Sequence, residues 1–307
     1  MILTVTLNTA LDVTYRVPRL HAHASHRVTD VTERPGGKGL NVARVLAALG
    51  HEVTATGFAG CRTGAVVREL LAGTPGVRDE LLPCAGTTRR TLAVVDEASG
   101  DTTQFNEPGP LITAAEWSRL RSRYEALLAG GARAVALCGS LPPGVPVGAY
   151  ADLVRAARAA GVPVLLDTSG EALRRGVAAR PDMIKPNAAE LAELTGSRDP
   201  LPATRDARRR GAHAVITSLG PDGLLAATDD GGTWQAAPPR TLTGNPTGAG
   251  DSAVAGLLSA LTEGLDWPAR LTRAVALSAA TVAAPTAGEF DPRTYEEVRG
   301  SVKVTAG

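Results

Sequence analysis

The chain has 307 residues, of which 44% are hydrophobic and 21% charged, so it is long and apolar enough to fold around a large core. Its 32 basic and 31 acidic residues give a formal net charge of +1, and aromatic residues make up 3%, which argues against a nucleic-acid partner. No apolar run reaches the roughly 18 residues that a membrane span needs.

The three cysteines, Cys61, Cys84 and Cys138, are widely spaced and show no metal-ligand spacing. We interpret them as reduced thiols. The first residues carry no basic segment typical of a secretory signal. We therefore expect a cytoplasmic protein without a membrane partner.

Short apolar runs alternate with amphipathic stretches along the chain. The pattern predicts strands at 2–7, 53–58, 134–137, 162–166, 183–184 and 214–217, and helices at 40–49, 116–128, 149–160 and 188–195. Three more helices are predicted at 249–261, 268–284 and 292–299. This alternation is typical of an α/β fold with a mostly parallel central sheet and helices on both faces.

Two stretches interrupt the alternation with paired strands. Residues 12–17 with 27–33, and residues 87–96 with 101–106, are rich in Val, Thr and other strand formers. Because no helix intervenes, we expect a small β-sheet lid inserted into a single domain that spans 1–307.

The most informative segment is Gly248-Ala249-Gly250-Asp251-Ser252, which precedes a stretch of small apolar residues. The free amides of a helix's first turn, together with small side chains, form a pocket for developing negative charge on a phosphoryl group. Asp251 can take a proton from a substrate hydroxyl there. The other interpretation is an ordinary N-cap aspartate.

A second segment, residues 35–41, places three glycines around Lys38 and ends on Asn41. Glycines allow the backbone to approach a small polar ligand closely, and Lys38 and Asn41 supply a charge and an amide. The segment is no Walker A loop, because Gly39 stands where Ser or Thr is required. A glycine-rich turn with a solvated lysine is the alternative.

Two further segments follow predicted strands. Lys185, Asn187 and Glu190 lie around a predicted helix start. Glu190 suits a hydrated Mg²⁺ there. Taken by itself, however, the segment 187–190 favours the other interpretation, a helix cap. Residues 217–223 fit either a hairpin turn or a loop that contacts a nucleotide.

Polar residues at the end of the first strand suit a sugar. Asn8 and Asp12 lie where ligands of parallel sheets gather. Arg27, Arg89 and Arg90, in the predicted lid strands, are candidates to hold a phosphate. His21, His23 and His26 are disfavoured as a metal site because nothing Cys- or Asp-rich accompanies them.

Taken in order, these segments resemble the ribokinase-like sugar kinases of the phosphofructokinase-B branch, above all bacterial 1-phosphofructokinases and tagatose-6-phosphate kinases. The matching motifs are LNTALD at 7–12, RPGGKGLNVAR at 34–44, TTRRT at 87–91, FNEPGP at 105–110, CGSLPPGVP at 138–146, LDTSG at 166–170, IKPNAAEL at 184–191, SLGPDG at 218–223 and NPTGAGDSAVAG at 245–256.

The resemblance implies a role for each motif. The catalytic base is Asp251, and the anion hole is formed by Gly248, Ala249 and Gly250. The sugar phosphate contacts Asp12, Gly37, Asn41 and Arg89, with Arg27 and Lys38 as helpers at its phosphate. The ATP site is lined by Lys185, Asn187, Ser218, Gly220 and Gly223. Glu190 organises Mg²⁺ through water, and homodimers form through the lid strands.

The implied reaction is ATP-dependent phosphorylation of a ketohexose phosphate, with fructose 1-phosphate giving fructose 1,6-bisphosphate as the favoured case. Thr9, Thr91 and Pro246 depart from the family's usual residues, and these changes bear on substrate choice more than on reaction type. Tagatose 6-phosphate, fructose 6-phosphate or an unphosphorylated sugar are alternative acceptors. A non-catalytic sugar-phosphate sensor on the same fold is the alternative to an enzyme.

Overall fold

A ten-stranded sheet forms the centre of the protein in the computed structural model, which describes residues 1–284 and 286–307. Its strands, numbered along the chain, are β1 Ile2–Thr6, β4 Val53–Gly60, β5 Val77–Cys84, β8 Ala134–Cys138, β9 Val164–Asp167, β10 Met183–Ile184, β11 Ala214–Ser218, β12 Leu224–Ala227, β13 Thr233–Ala237 and β14 Lys303–Ala306. They lie side by side in the order β14-β13-β12-β11-β10-β9-β8-β1-β4-β5. The pairs from β11 to β5 are parallel, and the pairs from β11 to β14 are antiparallel.

A separate four-stranded sheet stands beside the main one. It consists of β2 Ala10–Val17, β3 Asp30–Gly36, β6 Arg89–Asp96 and β7 Thr102–Asn106, in the order β3-β2-β6-β7. β2 follows β1 after a short turn, and β3 ends one residue before a helix of the main domain. The small sheet therefore joins the main domain at the carboxyl end of β1.

The helices are α1 Lys38–Ala48, α2 Cys61–Ala72, α3 Ala114–Ala129, α4 Ala149–Ala159, α5 Gly170–Ala178, α6 Ala188–Thr195, α7 Pro200–Arg209, α8 Ala249–Thr262, α9 Trp267–Val282 and α10 Pro292–Arg299. They cover both faces of the main sheet. The evidence is that alternate residues of a strand pack into two different buried clusters. In β1, Ile2 packs in the cluster that contains Leu257 of α8, whereas Leu3 packs in the one that contains Tyr124 of α3. A strand buried on both faces is typical of a parallel sheet between two helical layers.

This architecture confirms the predicted α/β class, with a mostly parallel sheet between helices and a small additional sheet. The prediction of a strand over 27–33 is wrong at its start, because β3 begins at Asp30. Thr29 closes the preceding loop instead, with its backbone N–H and its hydroxyl both donating to Arg16 O at 2.9 Å. Arg27 consequently lies outside the strands.

Several elements were not anticipated from the sequence: α2, β5, α5, α7, β12, β13 and β14. In the part of the chain that the structure describes, none of the helices is long and apolar enough to span a membrane.

Candidate active site

The N-terminus of α8 carries two backbone amides that donate to no partner among the described residues of the chain. Gly248 precedes the helix with a φ of 84°, a conformation that favours glycine, and a Cβ there would come within 2.9 Å of Ala287 Cβ. The N–H of Ala249 donates to Pro246 O, and the N–H of Ser252 donates to Gly248 O. Within the described residues, the amides of Gly250 and Asp251 have no backbone acceptor, so both are available to an anion.

Asp251 lies in this first turn and is 7% exposed. The carboxylate does not cap its own helix; its Oδ2 accepts a 2.9 Å hydrogen bond from Asn41 Nδ2 in α1. The N-cap interpretation of Asp251 is therefore wrong. Burial raises the pKa of Asp251 to about 6, aided by Asp167 and opposed by Lys38, Asn41 and Lys185.

Two of the chain's three lysines converge on one buried carboxylate beside this helix. Lys38 Nζ lies 3.2 Å from Asp167 Oδ1, and Lys185 Nζ lies 3.7 Å from Asp167 Oδ2. A Cβ added to Gly250 would lie 3.3 Å from Lys185 Nζ, so this ammonium is next to the free amides. Burial opposes the charge of Lys38, but Asp167, Asp251 and Glu190 raise its pKa above the ordinary value.

Asp167 was not among the predicted site residues. It is the last residue of β9 and is 1% exposed. Its position at the carboxyl end of a parallel strand was the available signal.

The glycine turn leads directly into α1. Gly37 has a φ of 100°, and a Cβ there would come within 2.7 Å of Thr6 Cγ2, so this position requires glycine. Because Lys38 is the first residue of α1, Asn41 lies one turn later and reaches Asp251. The turn thus brings a lysine and an amide to the mouth of α8.

Where the small sheet meets the main domain, three buried oxygens have no hydrogen-bond partner among residues 1–284 and 286–307. These are Asp12 Oδ1, Asn8 Oδ1 and Asn41 Oδ1. Arg89 lies beside them, with Nε donating to Asn8 O at 3.3 Å and Nη1 donating to Thr91 Oγ1 at 3.2 Å. Burial raises the pKa of Asp12, against the lowering effects of Thr91, Arg89 and Arg44. Unsatisfied acceptors are costly to bury, so they suit a ligand that supplies hydroxyl donors.

The structure does not bring Arg27 to this group within one chain. Arg27 is exposed in the loop that joins the ends of β2 and β3 farthest from the glycine turn. The register runs from the Ala10–Gly36 pair at the site to the Arg16–Asp30 pair near Arg27. At the rise of a strand, this distance is about 20 Å.

A cavity of about 630 Å³ opens on the other side of the α8 N-terminus. Its rim includes Ser218, Gly220 and Gly223, and its walls include the apolar side chains of Leu224, Leu242, Val275, Ala279 and Val282. Ala249 and Gly250 also line it, so the cavity ends at the free amides. An apolar pocket with a few polar groups at one edge is typical of a small-molecule site.

Asn187 and Glu190 form a reciprocal helix cap at the start of α6. Glu190 N–H donates to Asn187 Oδ1, and Asn187 N–H donates to Glu190 Oε2, both at 2.9 Å. The capping interpretation is therefore correct for these contacts, and it leaves Glu190 Oε1 available. Asn187 also pairs with Ser218 in an isolated parallel bridge, which links α6 to the rim of the cavity.

The three departures from the family's motifs each make a local contact. The hydroxyl of Thr9 donates to Phe58 O, Thr91 Oγ1 accepts from Arg89, and Pro246 O accepts from Ala249 N–H. Pro246 has no N–H, but its carbonyl helps to hold the first turn of α8.

The disfavoured histidines lie in the loop between β2 and β3, and the thiol of Cys138 is buried. His26 Nε2 lies 2.9 Å from His21 O, which braces the exposed loop, and no metal-binding cluster of His, Cys, Asp or Glu occurs among residues 1–284 and 286–307. Cys138 is fully buried, and burial raises the pKa of its thiol well above the ordinary value.

Comparison with known proteins places the chain among carbohydrate kinases. The model of the pfkB family of carbohydrate kinases matches residues 4–293. A 1-phosphofructokinase from Rhodobacter capsulatus is 41% identical in an alignment of 285 residues that covers 91% of this chain and 90% of that protein. Phosphofructokinase-2 from Escherichia coli, solved with potassium, superposes with a TM-score of 0.89 at 31% identity over 97% of this chain and 98% of its own. A possible 1-phosphofructokinase from Thermotoga maritima gives a TM-score of 0.90 at 25% identity, covering 100% of this chain and 99% of that one.

Proposed function

This chain belongs to the pfkB family of carbohydrate kinases, and we propose that it transfers the γ-phosphoryl group of ATP to fructose 1-phosphate, giving fructose 1,6-bisphosphate. The observation that carries the reaction type is the pairing of the buried Asp251 carboxylate with the two free amides at the start of α8. The choice of fructose 1-phosphate rests on the 41% identity to a 1-phosphofructokinase along most of both chains.

Asp251 acts as the general base that takes the proton of the attacking sugar hydroxyl. Asn41 holds Oδ2, which leaves Oδ1 free for this proton. A pKa of about 6 keeps most of the carboxylate ionised at neutral pH while making it a stronger base than an exposed aspartate.

The amides of Gly250 and Asp251, with Gly248 and Ala249 shaping the turn, bind the oxygens of the migrating phosphoryl group. The ammonium groups of Lys38 and Lys185 neutralise its charge from either side of Asp167. Phosphoryl transfer needs positioning and electrostatic stabilisation above all, and this set of donors supplies both before the substrates arrive. Lys38 thus serves the migrating group more directly than the phosphate already on the sugar.

ATP occupies the cavity beside α8, with its base against the apolar walls. Ser218, Gly220 and Gly223 line the rim, and Lys185 and Asn187 lie between this rim and the α8 amides. Mg²⁺ fits the remaining donor set, because it retains waters and takes one or two carboxylates together with phosphates. Glu190 would hold it through water with its free Oε1, and the ion would neutralise phosphate charge.

The sugar phosphate binds between the main domain and the small sheet. Asp12 and Asn41 accept hydrogen bonds from sugar hydroxyls through their unpartnered oxygens, and the positive φ of Gly37 brings the backbone close. Arg89 binds the phosphate that the sugar already carries. The small sheet serves as the lid, and its closure excludes water from the transfer.

Two chains associate through the small sheets. The face that carries half-buried Tyr15 also presents Val31 and Phe105, which are 55% and 58% exposed. Large apolar side chains exposed together suit an interface. Arg27 lies far from the cleft of its own chain. In a dimer it can instead reach a sugar phosphate that is bound to the partner chain.

A panel of acceptors with ATP and Mg²⁺ tests the proposal. Fructose 1-phosphate should give the highest kcat/KM, ahead of fructose 6-phosphate, tagatose 6-phosphate and free fructose. Preference for an unphosphorylated sugar would contradict the role of Arg89. Tight binding of a sugar phosphate without any turnover would instead support a sensor.

A further inference from the structure

Two of the chain's three cysteines lie side by side where the small sheet joins the main sheet. Gly60, at the end of β4, is paired with Cys84 at the end of β5, and neighbouring strands lie about 4.8 Å apart. Cys61 is the next residue and begins α2. A Cβ built on Gly60 would lie 2.7 Å from Cys84 Sγ, so the Cys84 thiol is directed towards the residue that precedes Cys61.

The two thiols donate to neighbouring carbonyl oxygens. Cys61 Sγ donates to Ala85 O at 3.2 Å, and Cys84 Sγ donates to Gly86 O at 3.4 Å. Cys61 is exposed, whereas Cys84 is 8% exposed. Cys61 also has a φ of 57°, an uncommon conformation for a residue with a side chain. An accessible thiol therefore lies near a buried one, because Cys61 follows the residue that is paired with Cys84 and its thiol donates to the carbonyl of Ala85, the residue after Cys84.

We propose that Cys61 and Cys84 form an intramolecular disulfide when the protein is exposed to a peroxide, and that this bond displaces Arg89. The Cys61 sulfur attacks one oxygen of hydrogen peroxide, the O–O bond breaks, and the products are a sulfenic acid and one water. The Cys84 sulfur then attacks the sulfenic sulfur, the S–O bond breaks, and the hydroxyl leaves as a second water with the Cys84 proton. The two thiols lose two electrons, and the peroxide gains them.

The bond acts on Arg89 through the segment that joins β5 to β6. Gly60 N–H donates to Thr88 Oγ1 at 2.8 Å, and Thr88 N–H donates to Gly60 O at 3.2 Å. Arg89 is the next residue and begins β6. A disulfide removes both S–H donors from the carbonyls of this segment and draws Cys84 towards the start of α2. The consequence for catalysis rests on the proposed contact between Arg89 and the sugar phosphate.

The closing step should be slow at neutral pH. Burial, with smaller contributions from Glu116 and Cys61, raises the pKa of Cys84 to about 11. Because the thiolate is the attacking species, the rate of closure should increase with pH.

Peptide mapping tests the bond without any need for turnover. The reduced protein is treated with hydrogen peroxide, its remaining thiols are alkylated, and it is digested with trypsin. The expected product is peptide 45–62 linked to peptide 79–89, with Cys138 alkylated in peptide 134–155. In the same sample KM for the sugar phosphate should increase about tenfold, a size expected when a substrate-binding group is misplaced, while KM for ATP stays the same. A thiol reductant should reverse both changes.

Cys61→Ser provides the matched control. It should show the wild-type KM when reduced and no change after peroxide. Separate peptides with Cys61 as a sulfinic acid, or a link between two chains, would overturn the proposal; so would a linked pair with an unchanged KM for the sugar phosphate. A reduced protein that phosphorylates no sugar phosphate would refute the proposed function instead, and the mapped bond would still establish the cysteine pair.

Discussion

Replacement of Asp251 by asparagine is the most direct test of the proposed base, because the two side chains have nearly the same shape. The carbonyl oxygen of an asparagine can accept the Asn41 hydrogen bond that Asp251 Oδ2 accepts at 2.9 Å. Its amide cannot remove a proton from a hydroxyl. We expect Asp251→Asn to lower kcat by roughly 10²–10⁴, the range for a positioned acid or base, and to leave both KM values nearly unchanged.

The same substitution should stabilise the fold above pH 6. Burial raises the pKa of Asp251 from 3.8 to about 6, so the folded state disfavours the charged carboxylate. Two pKa units correspond to about 3 kcal/mol of unfolding free energy. In the wild type, the free energy of unfolding falls as the pH rises from 3.8, the pKa in the unfolded state, through about 6, the pKa in the folded state. Asparagine does not ionise, so the variant does not lose this free energy. The variant should therefore be more stable by up to about 3 kcal/mol at neutral pH, with the difference disappearing towards about pH 4.

Steady-state kinetics and urea unfolding between about pH 5 and pH 8 measure both effects. Asp152→Asn is the matched control, since Asp152 is an exposed aspartate in the first turn of α4, and kcat should be unchanged. In the wild type, kcat should fall as the pH drops through about 6. A near-normal kcat in Asp251→Asn would refute the base. A large loss of kcat accompanied by lower stability above pH 6 would indicate a structural role instead.

Three further substitutions examine the groups around this base. Asp167→Asn removes a charge that raises the pKa of the base, so kcat should fall and the acid limb of its pH profile should move to lower pH; an unmoved limb would contradict the coupling. Gly250→Ala places a Cβ 3.3 Å from the Lys185 ammonium. It should lower kcat by about tenfold or more, as loss of an anion-hole contact does. Gly148→Ala is its control and should have little effect, because a Cβ at Gly148 has no atom within 4 Å. Arg89→Ala should raise KM for the sugar phosphate by about tenfold or more and leave KM for ATP unchanged. Arg90→Ala, which removes a surface pair with a glutamate, is its control; equal effects of the two would argue against the phosphate contact.

The sequence predicted best those elements whose burial is uniform. All of Ile2–Thr6 and Ala134–Cys138 is buried, and continuous apolar runs of this kind are typical of parallel strands between helical layers. Pro200–Arg209 was missed because half of its residues are polar or charged and its buried face consists only of the small residues Ala203, Thr204 and Ala207. Lys303–Ala306 is a strand at the edge of the sheet, and its own residues are largely exposed. It therefore has no apolar pattern. Local patterns fail where neighbouring elements, rather than the segment itself, supply the stability.

The same limit applies to the site. Motifs singled out Asn41 and Asp251 individually, but their contact spans 210 residues and depends on how α1 and α8 pack. Asp167 lies in the LDTSG motif at 166–170, but an aspartate at the end of a strand is common and the motif assigned it no role. Its importance follows from the two lysines that the fold brings to it. Arg27 is the opposite case: the sequence singled it out, but it lies at the end of the β2–β3 hairpin that is far from the cleft of its own chain.

The arrangement around Asp167 explains how two ammonium groups can lie close together beside the N-terminus of α8. Without that carboxylate, Lys38 and Lys185 would repel each other next to a helix N-terminus that is itself positive. Asp167, which is 1% exposed, balances them and is in turn balanced by them, since a lone buried carboxylate would be strongly disfavoured. In the proposed reaction, a phosphoryl group bound at the α8 N-terminus would therefore meet charges that are already oriented, and little reorganisation would be needed during transfer. The charge that positions the lysines also raises the pKa of the base, so the acid limb of kcat and the strength of phosphoryl binding should change together when this carboxylate is altered.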